Sequence, residues 1–248
     1  METSAKGLRV LVTAGGAGIG RAIAQTFKDH GARVHTCDLD AKTKPDTVTD
    51  VAKVADVDRL FDEAIRKLGG LDVLVNNAGI AGPTGKVEDI KPEDWERCIA
   101  IDLNGMFYCT RKAMPMIKAA GGGSIINLSS AAGRLAFPMR TPYSAAKWAV
   151  VGFTESLAAE AGPDKVRVNC IQPGIVEGDR IERVIAAKAQ RLGVSNDQVR
   201  KKMVEGVSML TTVSAQDIAN MALFLATEAG KHISGQALSV CGGTRYLV

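Results

Sequence analysis

Short apolar runs alternate with longer helical patterns along the whole chain, and this alternation most constrains the fold. The runs are apolar throughout and do not alternate with polar residues, which indicates strands buried on both faces. The helical spacers between them indicate right-handed crossover connections. The pattern predicts an α/β fold, a doubly wound seven-stranded parallel sheet flanked by helices. The predicted strands are residues 8–13, 33–37, 46–51, 71–75, 124–128, 166–171 and 236–240.

The pattern predicts a single domain over residues 1–248. Hydrophobic residues make up 46% of the chain, enough to fill one large core. No Pro/Gly/Ser linker, internal repeat or low-complexity tract divides the chain. Residues 39–49 are too few for a full crossover helix, so we expect a loop or a single turn there.

Charge and cysteine content exclude several classes of function. The excess of 31 basic over 27 acidic residues leaves a net charge of +4, scattered without an aromatic-interleaved basic stripe, so nucleic acid is not an expected partner. No apolar run approaches the ~20 residues of a membrane span. The five cysteines lack metal or C-x-x-C spacing and lie in apolar stretches, which indicates reduced thiols, no metal site and a cytoplasmic protein. They are Cys37, Cys98, Cys109, Cys170 and Cys241.

A glycine-rich turn joins the first predicted strand to a helix. The segment 13–20 reads TAGGAGIG, and Gly15, Gly18 and Gly20 allow backbone N–H groups and the helix N-terminus to approach a pyrophosphate. This is the sequence context of a Rossmann dinucleotide site. Asp38 ends the second strand, where its carboxylate can accept hydrogen bonds from both adenosine ribose hydroxyls and would repel a 2′-phosphate. These residues predict NAD as the cofactor and disfavour NADP.

Tyr143 and Lys147 lie four residues apart in a helical pattern, which places them on one face one turn apart. An ammonium beside a phenol favours the ionised phenolate and so helps the phenol to exchange protons at neutral pH. Tyr and Lys at this spacing are also common on exposed helix faces. The pair therefore indicates a catalytic role only in combination with the motifs around it.

Taken with those motifs, the chain resembles the short-chain dehydrogenase/reductase family from about residue 7 to residue 243. The matches follow the family's order, and Ser130 stands at the usual interval of 13 residues before Tyr143. Each match alone also has a structural explanation as a turn, a cap or a loop. The matched motifs are T-G-x-x-x-G-x-G at residues 13–20, N-N-A-G at residues 76–79, Y-x-x-x-K at residues 143–147 and P-G at residues 173–174.

The resemblance implies a role for each matched residue. Tyr143 would exchange a proton with the substrate oxygen while a hydride moves to or from the nicotinamide, Ser130 would hydrogen-bond the same oxygen, and Lys147 would hold the nicotinamide ribose. Alkoxide-like charge develops on that oxygen, so donors held there stabilise the transition state. The implied cofactor-binding residues are Gly15, Gly18, Ile19, Gly20, Asp38, Asp50, Val51, Asn77, Ala78, Gly79, Tyr143, Lys147, Pro173, Gly174 and Val176.

Three positions depart from the family's pattern. Ala14 replaces the first glycine of the loop, which should be tolerated if that residue does not need a positive φ. Asp102 stands where the family has a catalytic asparagine, and its charge would stabilise the Lys147 cation while opposing the pull of that cation on Tyr143. Asp102 can alternatively be a helix residue without a catalytic part. Gly178 replaces a threonine that contacts the nicotinamide amide in the family.

The substrate region is predicted to include a mobile lid over residues 177–212. Arg140 and Arg180 are the substrate-binding candidates, with Arg134 and Arg183 nearby in sequence, because guanidinium groups pair with carboxylate, phosphate or sulfonate. Surface arginines without a ligand are commoner. The aromatic content of 4% disfavours a large planar substrate, so a polyol, sugar or hydroxy acid is favoured. The resemblance also implies a homotetramer.

Three functions compete on this sequence. The favoured one is an NAD-dependent dehydrogenase acting on a secondary alcohol. A 3-oxoacyl thioester reductase or other carbonyl reductase is the alternative enzyme, and it usually uses NADP, which Asp38 opposes. A catalytically silent NAD-binding module is the alternative of another class, suggested by Asp102 and Gly178. The intact Ser130, Tyr143 and Lys147 oppose that last interpretation.

Overall fold

The computed structural model describes residues 3–248, and over these residues seven strands form one sheet with all neighbours parallel. The strand order is β3-β2-β1-β4-β5-β6-β7. The chain therefore winds outward in both directions from β1 and β4, which confirms the predicted doubly wound Rossmann fold. The strands are β1 Arg9–Thr13, β2 Arg33–Asp38, β3 Thr47–Val48, β4 Val73–Asn76, β5 Gly123–Leu128, β6 Val166–Pro173 and β7 Ala237–Val240.

Helices cover both faces of the sheet. On one face α1 and α8 pack against alternate strand residues such as Val10 and Val12, and on the other α2, α4 and α5 pack against residues such as Leu11 and Leu74. This is why the central strands are apolar at every position. The helices are α1 Gly18–Asp29, α2 Val54–Leu68, α3 Pro92–Ile99, α4 Gly105–Ala119, α5 Thr141–Ala161, α6 Asp179–Leu192, α7 Asn196–Glu205 and α8 Ala215–Ala226, with a π-helical turn Ala100–Asn104 between α3 and α4.

The β2–β3 connection and β3 are the least regular part of the sheet. A single 3₁₀ turn, Ala41–Thr43, occupies the short connection, as predicted. The prediction of a strand over residues 46–51 is wrong in extent, because only Thr47–Val48 pairs with β2. The side chain of Asp46 accepts hydrogen bonds from Thr36, and Asp50 starts a turn in which its carboxylate accepts from the Ala52 N–H. These side-chain bonds replace the ladder at both ends of the strand.

All five cysteines are buried and carry free thiols. Within residues 3–248 no helix is both long and apolar enough to cross a bilayer.

The reversal of strand order between β1 and β4 positions the site. Connections on the two sides of that point leave the sheet in opposite directions, which opens a crevice at the carboxyl ends of the strands. The π-helical turn and α5 lie on one side of this crevice, and α6 and α7 lie over its mouth.

Candidate active site

A cavity of about 640 Å³ occupies this crevice at the carboxyl ends of the strands. It extends from the glycine loop, past the ends of β4, β5 and β6, to the first turns of α6. Most of the residues singled out by the sequence line it. They are Gly18, Ile19, Asp38, Asn77, Gly79, Ser130, Arg140, Tyr143, Lys147, Pro173, Gly174, Val176, Arg180 and Arg183.

The N-terminus of α1 faces the cavity without a side-chain cap. Ala17 is the N-cap residue, no side chain accepts from the first-turn N–H groups, and that turn holds no acidic residue. Gly18 and Ile19 begin the helix at the cavity wall, and nothing lies within 4 Å of the Cβ that a side chain at Gly18 would add. Unpaired N–H groups at the positive end of a helix dipole are what a pyrophosphate requires.

Gly15 and Gly20 do not line the cavity and serve packing instead. A Cβ at Gly20 would overlap the carbonyl oxygen of Ala14, and a Cβ at Gly15 would lie 2.8 Å from the Thr36 methyl group. Asn77 holds the same loop, since its amide donates to the carbonyl oxygens of Thr13 and Ala14 at 3.0 and 3.1 Å. These glycines therefore bring the loop and α1 close to the sheet.

Ala14 adopts the left-handed conformation, with φ at 48°. The replacement of glycine by Ala14 was expected to be tolerated only if φ is not positive, and φ is positive. A non-glycine residue at such a φ lowers the stability of the fold by roughly 1–2 kcal/mol. The Asn77 side-chain amide donates to the Ala14 carbonyl oxygen and so helps to hold the loop in this shape. The departure from the family's glycine leaves strain in the loop.

Ala14→Gly is accordingly expected to raise the free energy of unfolding by about 1 kcal/mol, since the relief of strain exceeds the entropy that glycine adds to the unfolded chain. Urea denaturation monitored by circular dichroism measures the change. Ala17→Gly is the matched control, because Ala17 is extended with φ at −147° and should gain nothing. Equal or opposite shifts for the two variants would contradict the assignment of strain to Ala14.

Asp38 ends β2 with its carboxylate at the far end of the cavity. One oxygen accepts the Gly16 N–H at 3.1 Å and the other accepts the Asp40 N–H at 3.1 Å. Each oxygen keeps a lone pair, so the side chain is oriented by the backbone and can still accept from two hydroxyls. This geometry fits the predicted ribose-binding role.

Asp50, Val51 and Ala78 do not line the cavity, although the resemblance assigned them to the cofactor site. Asp50 accepts from the Ala52 N–H in its turn, and Val51 is buried against Gly105. Ala78 donates its backbone N–H to the Thr13 hydroxyl, so it ties β4 to β1. In this structure all three residues shape the cavity wall from behind.

Ser130, Tyr143 and Lys147 all line the cavity. Lys147, buried in α5, donates to the Leu128 carbonyl oxygen at 3.0 Å, and its ammonium lies 5.6 Å from the centre of the Tyr143 ring. An ammonium has three N–H donors, so two remain after that bond. The Ser130 hydroxyl accepts from the Ala132 N–H at 3.1 Å, which leaves its own hydrogen available for a ligand.

Ser129 is a structural neighbour, as its interval from Tyr143 predicts. Although it touches the cavity wall, its hydroxyl donates to the Lys147 carbonyl oxygen at 2.8 Å and is buried. This bond ties the end of β5 to the first turns of α5. It thereby holds Ser130 and Lys147 in register with each other.

Asp102 lies in the π-helical turn, fully buried behind Lys147. One carboxylate oxygen accepts the Ile80 N–H at 2.7 Å and lies 4.0 Å from the Lys147 ammonium, while the other accepts from the Cys98 thiol at 3.5 Å. Burial and the adjacent carboxylate raise the pKa of Cys98 to about 12, so the thiol stays protonated and can donate. A π-helical turn is a frequent feature of functional sites. Asp102 therefore forms a buried ion pair with Lys147.

Asp102→Asn is expected to move the acid side of the pH–rate profile to lower pH by up to about one unit, because removing the negative charge strengthens the effect of the Lys147 cation on the phenol. The profile of kcat/KM between pH 5 and 10 measures this. Cys98→Ala is the control, since it removes the thiol hydrogen bond but leaves the charge, and its profile should match the wild type. Superimposable profiles for Asp102→Asn and wild type would contradict the coupling.

The segment over the cavity mouth contains α6 and α7, so the predicted lid region 177–212 is largely helical. Arg180, in the first turn of α6, donates to the Gly79 carbonyl oxygen at 3.3 Å and lies 5.8 Å from the Tyr143 ring centre. Arg183 also lines the cavity. The inclusion of Arg134 among the pocket candidates is wrong, because it donates to the Thr244 carbonyl oxygen at 3.0 Å and holds the C-terminal tail.

A buried lysine beside the cavity, Lys188, escaped sequence reasoning. Phe137 forms part of the wall near Arg140, and the carbonyl oxygen of Ala81 accepts from the Arg140 guanidinium. Lys188, on the third turn of α6, is buried close to the same ring. Its hidden position has no local signal, because α6 is otherwise a charged, amphipathic helix.

Comparison with known proteins agrees with this geometry. The model of the family described as enoyl-(acyl carrier protein) reductase matches residues 13–245. D-beta-hydroxybutyrate dehydrogenase of Rhizobium meliloti is 33% identical over 94% of the chain and 96% of that protein, and a probable galactose dehydrogenase of the same organism is 33% identical over 94% and 93%. The chain belongs to the short-chain dehydrogenase/reductase family. It is an oxidoreductase of a family that binds a nicotinamide cofactor and acts on CH–OH groups.

Solved structures of similar proteins carry the same fold. An NAD⁺-bound xylitol dehydrogenase superposes with a TM-score of 0.90 at 26% identity, covering 96% of this chain and 99% of that one. The 3-ketoacyl-(acyl-carrier-protein) reductase of Brucella melitensis, complexed with NADH, gives a TM-score of 0.86 at 31% identity over 98% and 100%.

Proposed function

We propose that this protein is an NAD-dependent dehydrogenase that transfers a hydride between a secondary alcohol, or the corresponding ketone, and the nicotinamide. A polyol, a sugar or a hydroxy acid is the favoured substrate. The observation that carries the proposal is the convergence of Ser130, Tyr143 and Lys147 on one wall of a cavity that runs on to Asp38. The hydroxybutyrate, galactose and xylitol dehydrogenases named among the similar proteins support this choice of substrates.

The bound nicotinamide supplies the hydride acceptor or donor, and the protein supplies binding, orientation and proton transfer. The N-terminus of α1 with Gly18 and Ile19 would hold the pyrophosphate, Asp38 and Asn77 would face the adenosine part, and Lys147 would hold the nicotinamide ribose. Pro173, Gly174 and Val176 would line the nicotinamide end. We propose NAD and not NADP because Asp38 presents negative charge at the place of a 2′-phosphate.

Tyr143 is proposed to act as the acid and base at the substrate oxygen. In the oxidation direction its phenolate accepts the hydroxyl proton while the carbinol hydrogen leaves as hydride. The Ser130 hydroxyl, whose hydrogen is unused in the protein, donates to the same oxygen and so stabilises its developing negative charge. Lys147 stabilises the phenolate form of Tyr143 from one helical turn away.

The segment over residues 177–212 is proposed to close over the substrate. Its helices α6 and α7 pack mainly on each other through a small core that includes Ile185, Val199 and Met203. Ile175 and Val248 join this core from outside the segment, and segments over an active site often close on the substrate. Closure would exclude water from the site during hydride transfer.

We also propose a cytoplasmic homotetramer with no nucleic-acid or membrane partner. Five buried free thiols suit a reducing compartment. Trp95, Phe107 and Trp148 expose large aromatic surfaces on α3, α4 and α5, which supports burial of these helices between copies of the chain. Light scattering coupled to size-exclusion chromatography measures the assembly.

A 3-oxoacyl thioester reductase is the second candidate. The similarity to the 3-ketoacyl-(acyl-carrier-protein) reductase that is complexed with NADH favours this candidate. The silent NAD-binding module is disfavoured because Ser130, Tyr143 and Lys147 retain the arrangement that proton transfer needs. Assays of the forward and reverse reactions distinguish the three candidates.

The test is a substrate panel with NAD⁺, in which NADH formation is followed by its absorbance. Polyols, aldoses, hydroxy acids and hydroxysulfonates form one arm, and 3-oxoacyl thioesters with NADH form the other. We expect oxidation within the first arm. Reaction confined to the thioester arm would replace the proposal by the reductase, and tight NADH binding without any turnover would favour the silent module.

A further inference from the structure

Two cations are buried beside the cavity without a carboxylate partner. Arg140 is 3% exposed and Lys188 is 7% exposed. Within residues 3–248 neither residue forms a salt bridge, and the Lys188 side chain makes no hydrogen bond. Buried cations are ordinarily paired, because removing an isolated charge from water is strongly unfavourable. This pair of residues therefore needs an explanation.

Both cations lie against one aromatic ring. The guanidinium carbon of Arg140 is 5.1 Å from the Phe137 ring centre, and the Lys188 ammonium is 5.5 Å from the same centre. Arg140 also lies 5.4 Å from the Tyr143 ring centre. Phe137, Arg140 and Tyr143 line the cavity, whereas Lys188 contacts the Phe137 ring from outside the lining. The cationic cluster is thus next to the proposed proton-transfer group and not on a remote surface.

The donors of Arg140 are only partly used. One terminal nitrogen donates to the Ala81 carbonyl oxygen, which fixes the guanidinium, whereas the buried Nε has no partner. Contact of a cation with an aromatic face is a weak attraction and does not balance the burial of two charges. Burial lowers the pKa of Arg140, and burial followed by the charge of Arg140 lowers the pKa of Lys188. The fold holds these like charges together at a cost.

The acidic residues nearby do not neutralise the cluster. Glu177 and Asp179 line the cavity but are exposed at its mouth, and Glu177 accepts from the Thr212 hydroxyl at 2.6 Å. Asp102 lies behind the wall against Lys147. An uncompensated positive charge therefore remains around Phe137.

We propose that Arg140 binds an anionic group of the substrate and that the charge of the buried Lys188 beside Phe137 strengthens this attraction, so that the alcohol oxidised by this enzyme is a short hydroxy acid. The inference rests on the proposed dehydrogenase function and narrows its substrate class. Because Arg140 contacts the ring of Tyr143, the anionic group lies close to the reacting carbon, which suits a 2- or 3-hydroxy acid. A guanidinium group and an ammonium group together attract a carboxylate. They would attract a sulfonate in the same way, so a hydroxysulfonate is the other possible kind of substrate. A neutral polyol leaves both charges unpaired.

Lys188→Met tests the proposal with Lys201→Met as the matched control, since Lys201 is exposed on α7. We expect Lys188→Met to raise KM for D-3-hydroxybutyrate by about tenfold or more while changing KM for 3-hydroxybutanamide less than about twofold. Its thermal midpoint should equal or exceed that of the wild type, because methionine fills the space without a buried charge. Equal effects on acid and amide, or a lower thermal midpoint without a change in KM for the acid, would overturn the assignment.

A binding measurement separates this inference from the proposed function. Calorimetric titration of D-3-hydroxybutyrate, its amide and 2-hydroxypropanesulfonate into NADH-saturated protein detects the anion site with no hydride able to move. Binding of either anion to the wild type but not to Lys188→Met, with the amide binding to neither, supports the site even if no alcohol is oxidised. Oxidation of neutral polyols with no binding of either anion would overturn the site and leave the dehydrogenase function standing.

Discussion

Tyr143→Phe is expected to lower kcat for alcohol oxidation by about a hundredfold to ten-thousandfold, the range for loss of a general acid or base. The phenol oxygen is the group proposed to accept the substrate proton, and phenylalanine keeps the ring that contacts Arg140 and Lys147. The fold and the cofactor contacts should therefore survive. Steady-state kinetics with NAD⁺ and the best alcohol of the panel measure the loss, and NADH titration should give a dissociation constant within about threefold of the wild type.

Tyr108→Phe is the matched control for this substitution. Tyr108 lies on α4, where it packs with Phe107 away from the cavity lining, and the loss of its hydroxyl should leave kcat unchanged. Retention of more than about a tenth of the wild-type kcat by Tyr143→Phe would contradict the proton-transfer role, given the range expected for a catalytic acid.

The second large effect concerns the choice of cofactor. The wild type is expected to bind NADH about a hundredfold more tightly than NADPH, because the Asp38 carboxylate accepts from ribose hydroxyls and repels a 2′-phosphate. Asp38→Asn should reduce this preference by about tenfold or more, since the amide removes the repulsion and one acceptor. Fluorescence titration of both reduced nucleotides against both proteins gives the four dissociation constants.

Asp40→Asn controls for the general loss of negative charge at this end of the cavity. Asp40 lines the cavity, but its carboxylate accepts from the Lys42 N–H as the cap of the 3₁₀ turn. Its replacement should change the preference by less than about threefold. If the wild type prefers NADPH, the proposed role of Asp38 is wrong, and the 3-oxoacyl thioester reductase becomes the favoured function.

Sequence reasoning reached the fold because each strand carries its own local signal. Continuous apolar runs, the strand–glycine–helix junction and helical spacers predict a doubly wound sheet without knowledge of any contact. Residues 46–51 show where this fails, since an edge strand depends on neighbouring side chains. The side chains of Asp46 and Asp50 form hydrogen bonds there in place of the strand-to-strand bonds of the sheet. The apolar pattern of the sequence does not predict these side-chain bonds.

The candidate site was predictable where residues act through fixed spacing. The spacing of Tyr143 and Lys147 predicts their shared helix face, and the resemblance to the family predicts Ser130 from its interval of 13 residues. Arg134 was misplaced, and Lys188 was missed, because the direction of a long side chain depends on tertiary packing. The sequence shows that alanine replaces glycine at residue 14, but it does not show whether φ is positive there. That angle depends on the folded loop, which Asn77 holds by a hydrogen bond to the Ala14 carbonyl oxygen.

The most direct test of the account follows the transferred hydrogen itself. The best alcohol of the panel, deuterated at its carbinol carbon, is incubated with NAD⁺ and the wild-type protein, and the reduced nucleotide is examined by NMR. The account predicts deuterium at the nicotinamide C4 position, bound stereospecifically on one face, and a transfer at least about a hundredfold slower with Tyr143→Phe. Tight NADH binding with no deuterium transferred from any panel alcohol would contradict it.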